Sequence, residues 1–482
     1  MTGRLTVVDE IFLRTHRGMG TPIALQGLWR TDGAMDPALL RAIHERLRVG
    51  DLGRRVARPR IYGARRRWQP NISAHPLDLG LPIAEHAILA WADTLGADLD
   101  PECGPGWRLS ATPIRGGGTI VALTCSHALA DARGLIHAIA RALAGLTEAP
   151  VETDPVTGVS PRSSRDRDQA PARPVPDPRD AEPTRSSLST SPPTAASDGS
   201  SAAPTAEPPQ GSPRGGTAVR RPEPVSTKQP ACATDSDWAD ARDQWRTILV
   251  GTARALRRGI PHRPPASDPA HATGRAVHSI LRTFDATAWD ATAAAAGGTP
   301  NSLFIYLVAN ILWANGFPHS TIAASLPVDT RDEPRVDNDL AVTEIAVDRA
   351  DTPATIRDKA RDAYRRRMSS PAGLPEEILQ VLPDRWAYAL SKGAGERDIL
   401  CSNIGTLPDS LRSVGTHHCD RVAARAIHPG LTAFPRTQLS GYLSRLADTY
   451  TLALVGLTGT DPALRIALDR ACTEIGLRPE PW

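Results

Sequence analysis

A histidine and an aspartate lie four residues apart in the stretch TCSHALADARGL, residues 124 to 135. A histidine of near-neutral pKa can take the proton from an attacking hydroxyl or amine, typically for a factor of roughly 10² to 10⁴ in rate. Acyl transfer from a thioester also needs a donor that stabilises the oxyanion, but no covalent intermediate, because the thiolate is already a good leaving group. Taken alone, a histidine after an apolar strand is more often structural than catalytic, so His127 needs further support.

Asp131 has a structural interpretation that we favour over a catalytic one. At the start of a helix, an aspartate accepts hydrogen bonds from free backbone amides and is stabilised by the helix dipole. It could also pair with an arginine and hold the loop, which would fix the position of His127. Both interpretations make Asp131 a support for the histidine.

Strands and helices alternate around this pair. PIALQGLWR predicts a strand, and ALLRAIHERL, residues 38 to 47, places its apolar residues on one helical stripe. GWRLSATPI and GGGTIVALTCSH predict two strands joined by a glycine turn, and ARGLIHAIARALAGL predicts a helix with an apolar face. His127 is therefore expected where a buried strand gives way to a loop.

The chain divides into two α/β halves around a segment of different composition. Residues 150 to 235 are rich in Pro, Ser, Ala, Arg and Asp and almost free of large apolar residues, which predicts a disordered linker. We expect one domain over 1 to 149 and a second over 236 to 482. The second half has predicted helices in DWADARDQWRTILVGTARAL, DATAWDATAAAA, NSLFIYLVANILWANG, TIRDKARDAYRRRM and DPALRIALDRAC, and predicted strands in AVHSILRTFD, TIAASLPVD, AVTEIAVD and TYTLALVGLTG.

Composition excludes several classes of function. In 482 residues, 56 Lys and Arg stand against 53 Asp and Glu, and this net charge of +3 lacks the basic excess of a nucleic-acid binder. The six cysteines are scattered without a CxxC pair, so neither a disulfide framework nor a cysteine-rich zinc site is indicated. No apolar run approaches the roughly 20 residues of a membrane helix or forms a signal sequence. We expect a soluble, cytoplasmic protein.

SHALADARG resembles the HHxxxDG motif of the condensation-domain superfamily, which includes wax ester synthases, polyketide-associated acyltransferases and the condensation domains of nonribosomal peptide synthetases. Further stretches are similar to landmarks of that superfamily in the same order. They are the opening LTVVDEIFL, GPGWRL (104 to 109, like the PLW motif), TPNSLFIYLVA (299 to 309, like the ND helix motif), LPVDTR (326 to 331) and CSNIGTLP (401 to 408, like the SN-x-G motif). The resemblance covers nearly the whole chain outside the linker.

The resemblance implies a fold of two chloramphenicol-acetyltransferase-like α/β domains that form a V, with a channel between them. It implies that His127 is the general base or oxyanion partner and that Asp131 turns from the substrate toward Arg331. The channel residues that it implies are Ser402, Asn403 and Gly405, with Trp107 and Asn301 as supports beside the tunnel. Where the family has its first histidine and its glycine, this chain has Ser126 and Ala132, and Ser302 replaces the aspartate of ND.

The predicted function is acyl transfer from a coenzyme A or carrier-protein thioester to a hydroxyl or amine, in lipid or secondary-metabolite biosynthesis. No bound cofactor is expected; an acyl-CoA or a phosphopantetheine-linked acyl thioester would be a substrate, and a small alcohol or amine the acceptor. Two alternatives remain: a free-standing nonribosomal-peptide-type condensation enzyme, and a degenerate family member that serves as a recruitment platform.

Three other stretches invite chemical interpretations. His417, His418 and Cys419 suggest a metal, but their spacing fits no standard ligand pattern, so we expect a loop or strand edge and no metal site. The arginine-rich stretch RRVARPRIYGARRRW, residues 54 to 68, is either a site for the phosphates of the donor or a solvated loop. The glycines at 116 to 118 are expected to form a hairpin turn.

Overall fold

The computed structural model describes residues 3–148, 236–258, 277–365, 375–391, 396–431 and 434–482. The linker predicted for residues 150 to 235 lies outside the described residues. The helices are α1 (Val7–His16), α2 (Pro37–Val49), α3 (Ile88–Asp93), α4 (Ala132–Glu148), α5 (Asp237–Arg258), α6 (Ala286–Ala295), α7 (Pro300–Ala314), α8 (Pro353–Arg365), α9 (Ile378–Val381), α10 (Asp384–Ser391) and α11 (Asp461–Glu474). The strands are β1 (Ala24–Thr31), β2 (Arg54–Ala57), β3 (Arg67–Pro70), β4 (Asp78–Leu79), β5 (Trp107–Pro113), β6 (Thr119–Ser126), β7 (His278–Asp285), β8 (Thr321–Asp329), β9 (Leu340–Asp348), β10 (Ile399–Thr406), β11 (Ser413–Val414), β12 (His417–Ile427), β13 (Leu439–Leu446), β14 (Thr449–Gly456) and β15 (Glu480–Pro481).

The strand that leads to His127 lies inside a six-stranded sheet of order β11-β12-β1-β6-β5-β4. Every residue of β6 is buried, which explains why its sequence is an unbroken apolar and small-residue run rather than an alternating one. β5 and β6 pair antiparallel across the glycine turn at 116 to 118, where all three glycines have positive φ. The apolar faces of α2 and α4 contribute to the same core.

Two strands of this sheet, β11 and β12, come from the second half of the chain. β12 pairs antiparallel with β1, from Ala24 opposite Ile427 to Thr31 opposite Cys419. The segment that contains His417 and His418, predicted as a loop or strand edge, is therefore the start of β12. The domain bounds 1–149 and 236–482 remain a prediction, but strand pairing crosses them.

The second half supplies a seven-stranded sheet of order β15-β7-β14-β13-β10-β8-β9. α7 packs against this sheet. Every residue of the helix from Ser302 to Trp313 except Tyr306 and Asn310 is buried, because the helix is apolar nearly all round. α7 begins with Pro300 after the N-cap Thr299, whose side chain accepts from the backbone amide of Ser302. No helix of the described residues is long and apolar enough to span a bilayer.

The two sheets meet in one apolar cluster, and a second cluster lies around α7. Tyr442 of β13 and Ala453 of β14 belong to the same apolar cluster as the residues of β1 and β6. Behind β12, the Thr451 hydroxyl donates to the carbonyl of Val422 at 2.9 Å. The site described next is therefore built on a scaffold to which both halves contribute.

Candidate active site

His127 follows the last residue of β6 directly. Its backbone amide donates to the carbonyl of Ile23 at 3.2 Å, and its ring stacks on Phe12 of α1 with ring centroids 3.6 Å apart and planes 15° apart. His127 as a whole residue is partly exposed. Its Nδ1 is buried and forms no hydrogen bond of ordinary geometry with the described residues.

The surroundings of His127 keep its imidazole neutral. Burial lowers its pKa from the ordinary value of 6.5, while the ring's own backbone carbonyl, the Asp131 carboxylate and the Asn338 side chain oppose that shift more weakly. A ring that is neutral at pH 7 has a free lone pair on one nitrogen, which a general base requires.

Asp131 combines the two support functions considered from the sequence. Its carboxylate accepts hydrogen bonds at 2.7 and 2.6 Å from one guanidinium nitrogen of Arg331. It also accepts from the backbone amide of Gly134 at 2.8 Å, which caps the start of α4, and from that of Asp339 at 3.1 Å. Because the side chains of Asp131 and Arg331 are 7% and 8% exposed, they form a buried ion pair that links the histidine loop to the second half of the chain.

Three residues near His127 were not predicted from the sequence: Asp9, Phe12 and Asn338. The side-chain amide of Asn338 donates to the carbonyls of His127 at 2.9 Å and Ala128 at 3.2 Å, and to the carboxylate of Asp9 at 2.8 Å. The only sequence signal is position, since Asn338 lies in the loop after LPVDTR and the other two lie in the opening stretch LTVVDEIFL. Nothing in their spacing indicates that they meet.

The SN-x-G segment lies on β10 at an irregularity of the sheet. The pairing of β10 with β13 shifts between Asn403 and Gly405, and Gly405 has a φ of +81°. The Asn403 side chain bridges this bulge, because its oxygen accepts from the Gly405 amide and its nitrogen donates to the Asn301 side chain, each at 3.0 Å. Asn301 in turn donates to the Tyr364 hydroxyl at 3.0 Å, so α7 and α8 hold the exposed Asn403 in place. Ser402, next to it, is partly exposed.

A single arginine joins the histidine loop to this segment. Arg133, in the first turn of α4, donates to the carbonyl of Thr406 at 3.1 Å. A Cβ placed on Gly405 would lie 3.6 Å from the same guanidinium group. The structure thus brings the stretch that contains His127 and the stretch that contains Asn403 together.

Trp107 is buried and supports the histidine loop by packing, without facing solvent. It is 1% exposed, pairs with Cys125 across β5 and β6, and packs its ring 5.2 Å from that of His44. The preceding glycine approaches the histidine loop closely: the carbonyl of Gly106 accepts from the Ser126 amide, and a Cβ on Gly106 would lie 2.1 Å from a Leu129 methyl group. Through these contacts, residues 104 to 107 pack closely against the histidine loop.

The departures from the family pattern have local explanations. Ala132, at the position of the motif glycine, begins α4 in helical backbone that any L-residue adopts. Ser126 is 5% exposed and ends β6. Ser302, at the position of the aspartate of ND, forms a capping box with Thr299, in which its hydroxyl accepts from the Thr299 amide at 2.8 Å.

The arginine-rich stretch 54 to 68 forms β2, β3 and their connection. Four of its arginines pair with carboxylates of other elements. The pairs are Arg54 with Asp337 at 2.5 Å, Arg65 with Asp240 at 2.7 Å, Arg66 with Glu10 at 2.8 Å and Arg67 with Asp237 at 3.6 Å. Both interpretations of this stretch, a phosphate site and a solvated loop, stay predictions, and the pairs show that these four charges also connect distant parts of the chain.

A cleft of about 640 Å³ lies beside α1, between the β2–β3 connection and the α9–α10 region. Glu10, Arg17, Tyr62 and Asp384 are among its lining residues, and none of the residues predicted for the site lines it. Among the described residues, no group of three or more His, Cys, Asp or Glu side chains could hold a metal ion.

Comparisons with known proteins identify the fold. No protein-family model and no curated protein matches the chain. The condensation domain of the Monacolin K polyketide synthase MokA matches with a TM-score of 0.54 at 11% identity, over 98% of this chain and 96% of that one. The first condensation domain of the calcium-dependent antibiotic synthetase, in complex with a substrate analogue, gives 0.53 at 13% identity, over 98% and 96%. A mutant starter condensation domain of rhizomide synthetase, in complex with C8-CoA, gives 0.51 at 12% identity, over 98% and 94%. The predicted α/β fold with two chloramphenicol-acetyltransferase-like lobes is confirmed at this level.

Proposed function

We propose that this chain, which has the fold of condensation domains, is an acyltransferase that moves an acyl group from a coenzyme A or carrier-protein thioester to a hydroxyl or amine acceptor. The observation that supports the proposal most directly is the local environment of His127. His127 is a partly exposed residue whose ring has a lowered pKa and a buried Nδ1, and its loop is joined through Arg133 to the segment that contains Asn403.

In the proposed reaction, Nε2 of His127 takes the proton from the acceptor as the acceptor oxygen or nitrogen attacks the thioester carbonyl. The tetrahedral intermediate then expels the thiolate, the carbon–sulfur bond breaks, and the imidazolium returns its proton to the sulfur. The new ester or amide bond and the free thiol balance the reaction without a cofactor. A neutral imidazole is the form required at the start, which agrees with the lowered pKa of His127.

The remaining predicted residues take roles around this step. We place the reaction in a channel between two lobes arranged as a V, lined on one side by Ser402, Asn403 and Gly405. Asn301 holds Asn403, and Asp131 with Arg331 holds the histidine loop. Trp107 acts only through packing, because it is 1% exposed.

A free-standing condensation enzyme of the nonribosomal-peptide type is the second candidate, favoured by the likeness to the antibiotic synthetase domain with its substrate analogue. It differs from the first in using a carrier-protein donor and an amine acceptor. The likeness to the rhizomide synthetase domain with C8-CoA favours an acyl-CoA donor. Turnover of a radiolabelled acyl group presented on coenzyme A, and separately on a carrier protein, distinguishes the donors.

The test of the function is the His127→Ala variant, assayed with both donors and a panel of alcohols and amines. We expect the rate to fall by roughly 10² to 10⁴. The matched control is His137→Ala, since His137 lies on α4, is also partly exposed and pairs with the carboxylate of Asp51 at 3.8 Å. Full activity of the His127 variant would contradict the proposal. A wild-type chain that transfers no acyl group, with an intact cellular role in the His127 variant, would favour a recruitment platform.

A further inference from the structure

The orientation of the Asn338 side chain is fixed by its surroundings. Its nitrogen faces three oxygen acceptors: the Asp9 carboxylate and the carbonyls of His127 and Ala128. If the amide were reversed, its oxygen would face those three oxygens without a hydrogen between them. The side chain is 2% exposed, so water does not offer an alternative. The Asn338 oxygen therefore points away from this group of acceptors.

Two buried polar atoms of the site are left without partners among the described residues, and they are chemically complementary. One is the Asn338 oxygen, which can only accept, and the other is Nδ1 of His127, which can donate when it carries the ring proton. Both belong to residues that already touch through the His127 carbonyl. A buried polar group without a partner is destabilising, so two complementary groups of this kind call for an explanation.

We infer that Asn338 is a positioning residue for His127, whose side-chain oxygen selects the imidazole tautomer with the proton on Nδ1 and the lone pair on Nε2. The inference rests on the proposed function, in which Nε2 is the base. Asn338 holds the backbone of the histidine through its nitrogen and the ring proton through its oxygen. Asp9 keeps the amide in this orientation.

α1 completes this arrangement from the first half of the chain. Asp9 and Phe12 lie three residues apart and so on one face of the helix, which places the carboxylate beside Asn338 and the aromatic ring against the imidazole. Stacking on Phe12 fixes the plane of the ring but not the nitrogen that carries the proton. The tautomer needs a directional acceptor, and both the ring's own backbone carbonyl and the Asn338 side chain favour a proton on the ring; we assign the choice of tautomer to Asn338, which the variants below test.

The first test reads the tautomer directly and does not depend on turnover. In protein labelled with ¹⁵N-histidine, the ring nitrogens that carry and lack a proton are distinguished by long-range ¹H–¹⁵N correlation at a pH above the ordinary histidine pKa. The chain has 13 histidines, and the signals of His127 are those lost in His127→Ala. We expect Nδ1–H in the wild type and a mixture or Nε2–H in both Asn338→Ala and Asn338→Leu, neither of which offers an acceptor oxygen.

A wild-type His127 protonated on Nε2, or a spectrum that Asn338→Ala leaves unchanged, would overturn the inference. The matched control is Asn310→Ala, since Asn310 also donates from a partly buried side chain, to the carbonyl of Tyr306 at 2.8 Å, but lies in α7. If Asn338→Ala does not fold, the comparison of Asn338→Leu with the wild type still decides the matter, because leucine fills a similar volume and offers Nδ1 no acceptor.

The second test connects the tautomer to the reaction. We expect Asn338→Ala to lower kcat by about 10²-fold, the cost of a misplaced catalytic group, with KM nearly unchanged. For Asn338→Leu, we expect a loss of kcat of the same size. A changed tautomer with full kcat would overturn the inference and leave the proposed function standing. Full activity of His127→Ala would overturn the proposed function itself.

Discussion

The buried ion pair of Asp131 and Arg331 links the two halves of the chain, and we predict how much its loss lowers the free energy of unfolding. Removing one partner of a buried ion pair typically costs about 3 to 5 kcal/mol, because the other charge remains buried without compensation. Arg331 keeps Asp329 at 2.9 Å and the carbonyl of Asp337 at 2.8 Å, so the lower end of that range applies. For Asp131→Asn, which can still cap α4, we expect a loss of about 3 kcal/mol in the free energy of unfolding.

Asp131→Ala separates the cap from the ion pair. The alanine variant also loses the hydrogen bond from the Gly134 amide, and a lost N-cap costs about 1 kcal/mol. We therefore expect Asp131→Ala to be less stable than Asp131→Asn by about that amount. Unfolding in urea, followed by the fluorescence of the ten tryptophans, measures both differences.

A double-mutant cycle isolates the contact itself. With Arg331→Met as the second change, we expect the double variant to be more stable than the sum of the single effects predicts, with a coupling energy of about 1 to 3 kcal/mol. The control cycle uses Arg470 and Glu474, an exposed pair on α11 at 2.9 Å, for which about 0.3 to 0.5 kcal/mol is expected. Additive effects at Asp131 and Arg331 would refute the argument that they form one buried unit.

Three further predictions concern pH and backbone geometry. Because burial lowers the pKa of His127, we expect the acid limb of kcat/KM to fall below pH 6.5, and a limb above that value would contradict a buried neutral base. Burial raises the pKa of Asp9 from 3.8 to about 6. The stability that protonated Asp9 contributes is therefore present below pH 3.8 and lost as the pH rises through about 6. We expect the free energy of unfolding of the wild type to fall by about 3 kcal/mol relative to Asp9→Asn over that range, measured by urea unfolding. Gly405→Val forces a branched side chain to a φ of +81° and toward Arg133, so we expect a loss of acyl-transfer rate that a glycine-to-valine change at the exposed Gly116 does not cause.

Local sequence pattern was sufficient for the elements that carry His127. β5, β6 and α4 follow from alternation, from a continuous buried run and from helical periodicity, because these signals arise from neighbours within one element. The same holds for the turn at 116 to 118, where three glycines with positive φ sit between the two strands.

The partners of these elements could not be predicted in the same way. Asn338 meets His127 across 211 residues of chain, and Arg54 meets Asp337 across 283, so no local periodicity encodes either contact. The arginine-rich stretch is a case of this kind: its charges are visible in the sequence, but the carboxylates that pair with four of them belong to α1, α5 and the loop after β8. A family motif gives the identity of a catalytic residue more readily than the side chains that orient it.

The contacts of the histidine loop imply that neither half can form the site alone. Without residues after 236, β1 would lose its partner β12 and become an exposed edge, which favours aggregation. Asp131 would lose Arg331 and remain as a charge without its buried partner, and the His127 carbonyl would lose Asn338. Since α1 supplies Phe12 and Asp9 from the other end of the chain, the imidazole is held from both sides of the predicted linker. The position of His127 is therefore set by long-range packing, and changes to either half that loosen this packing should reduce activity even when they leave His127 untouched.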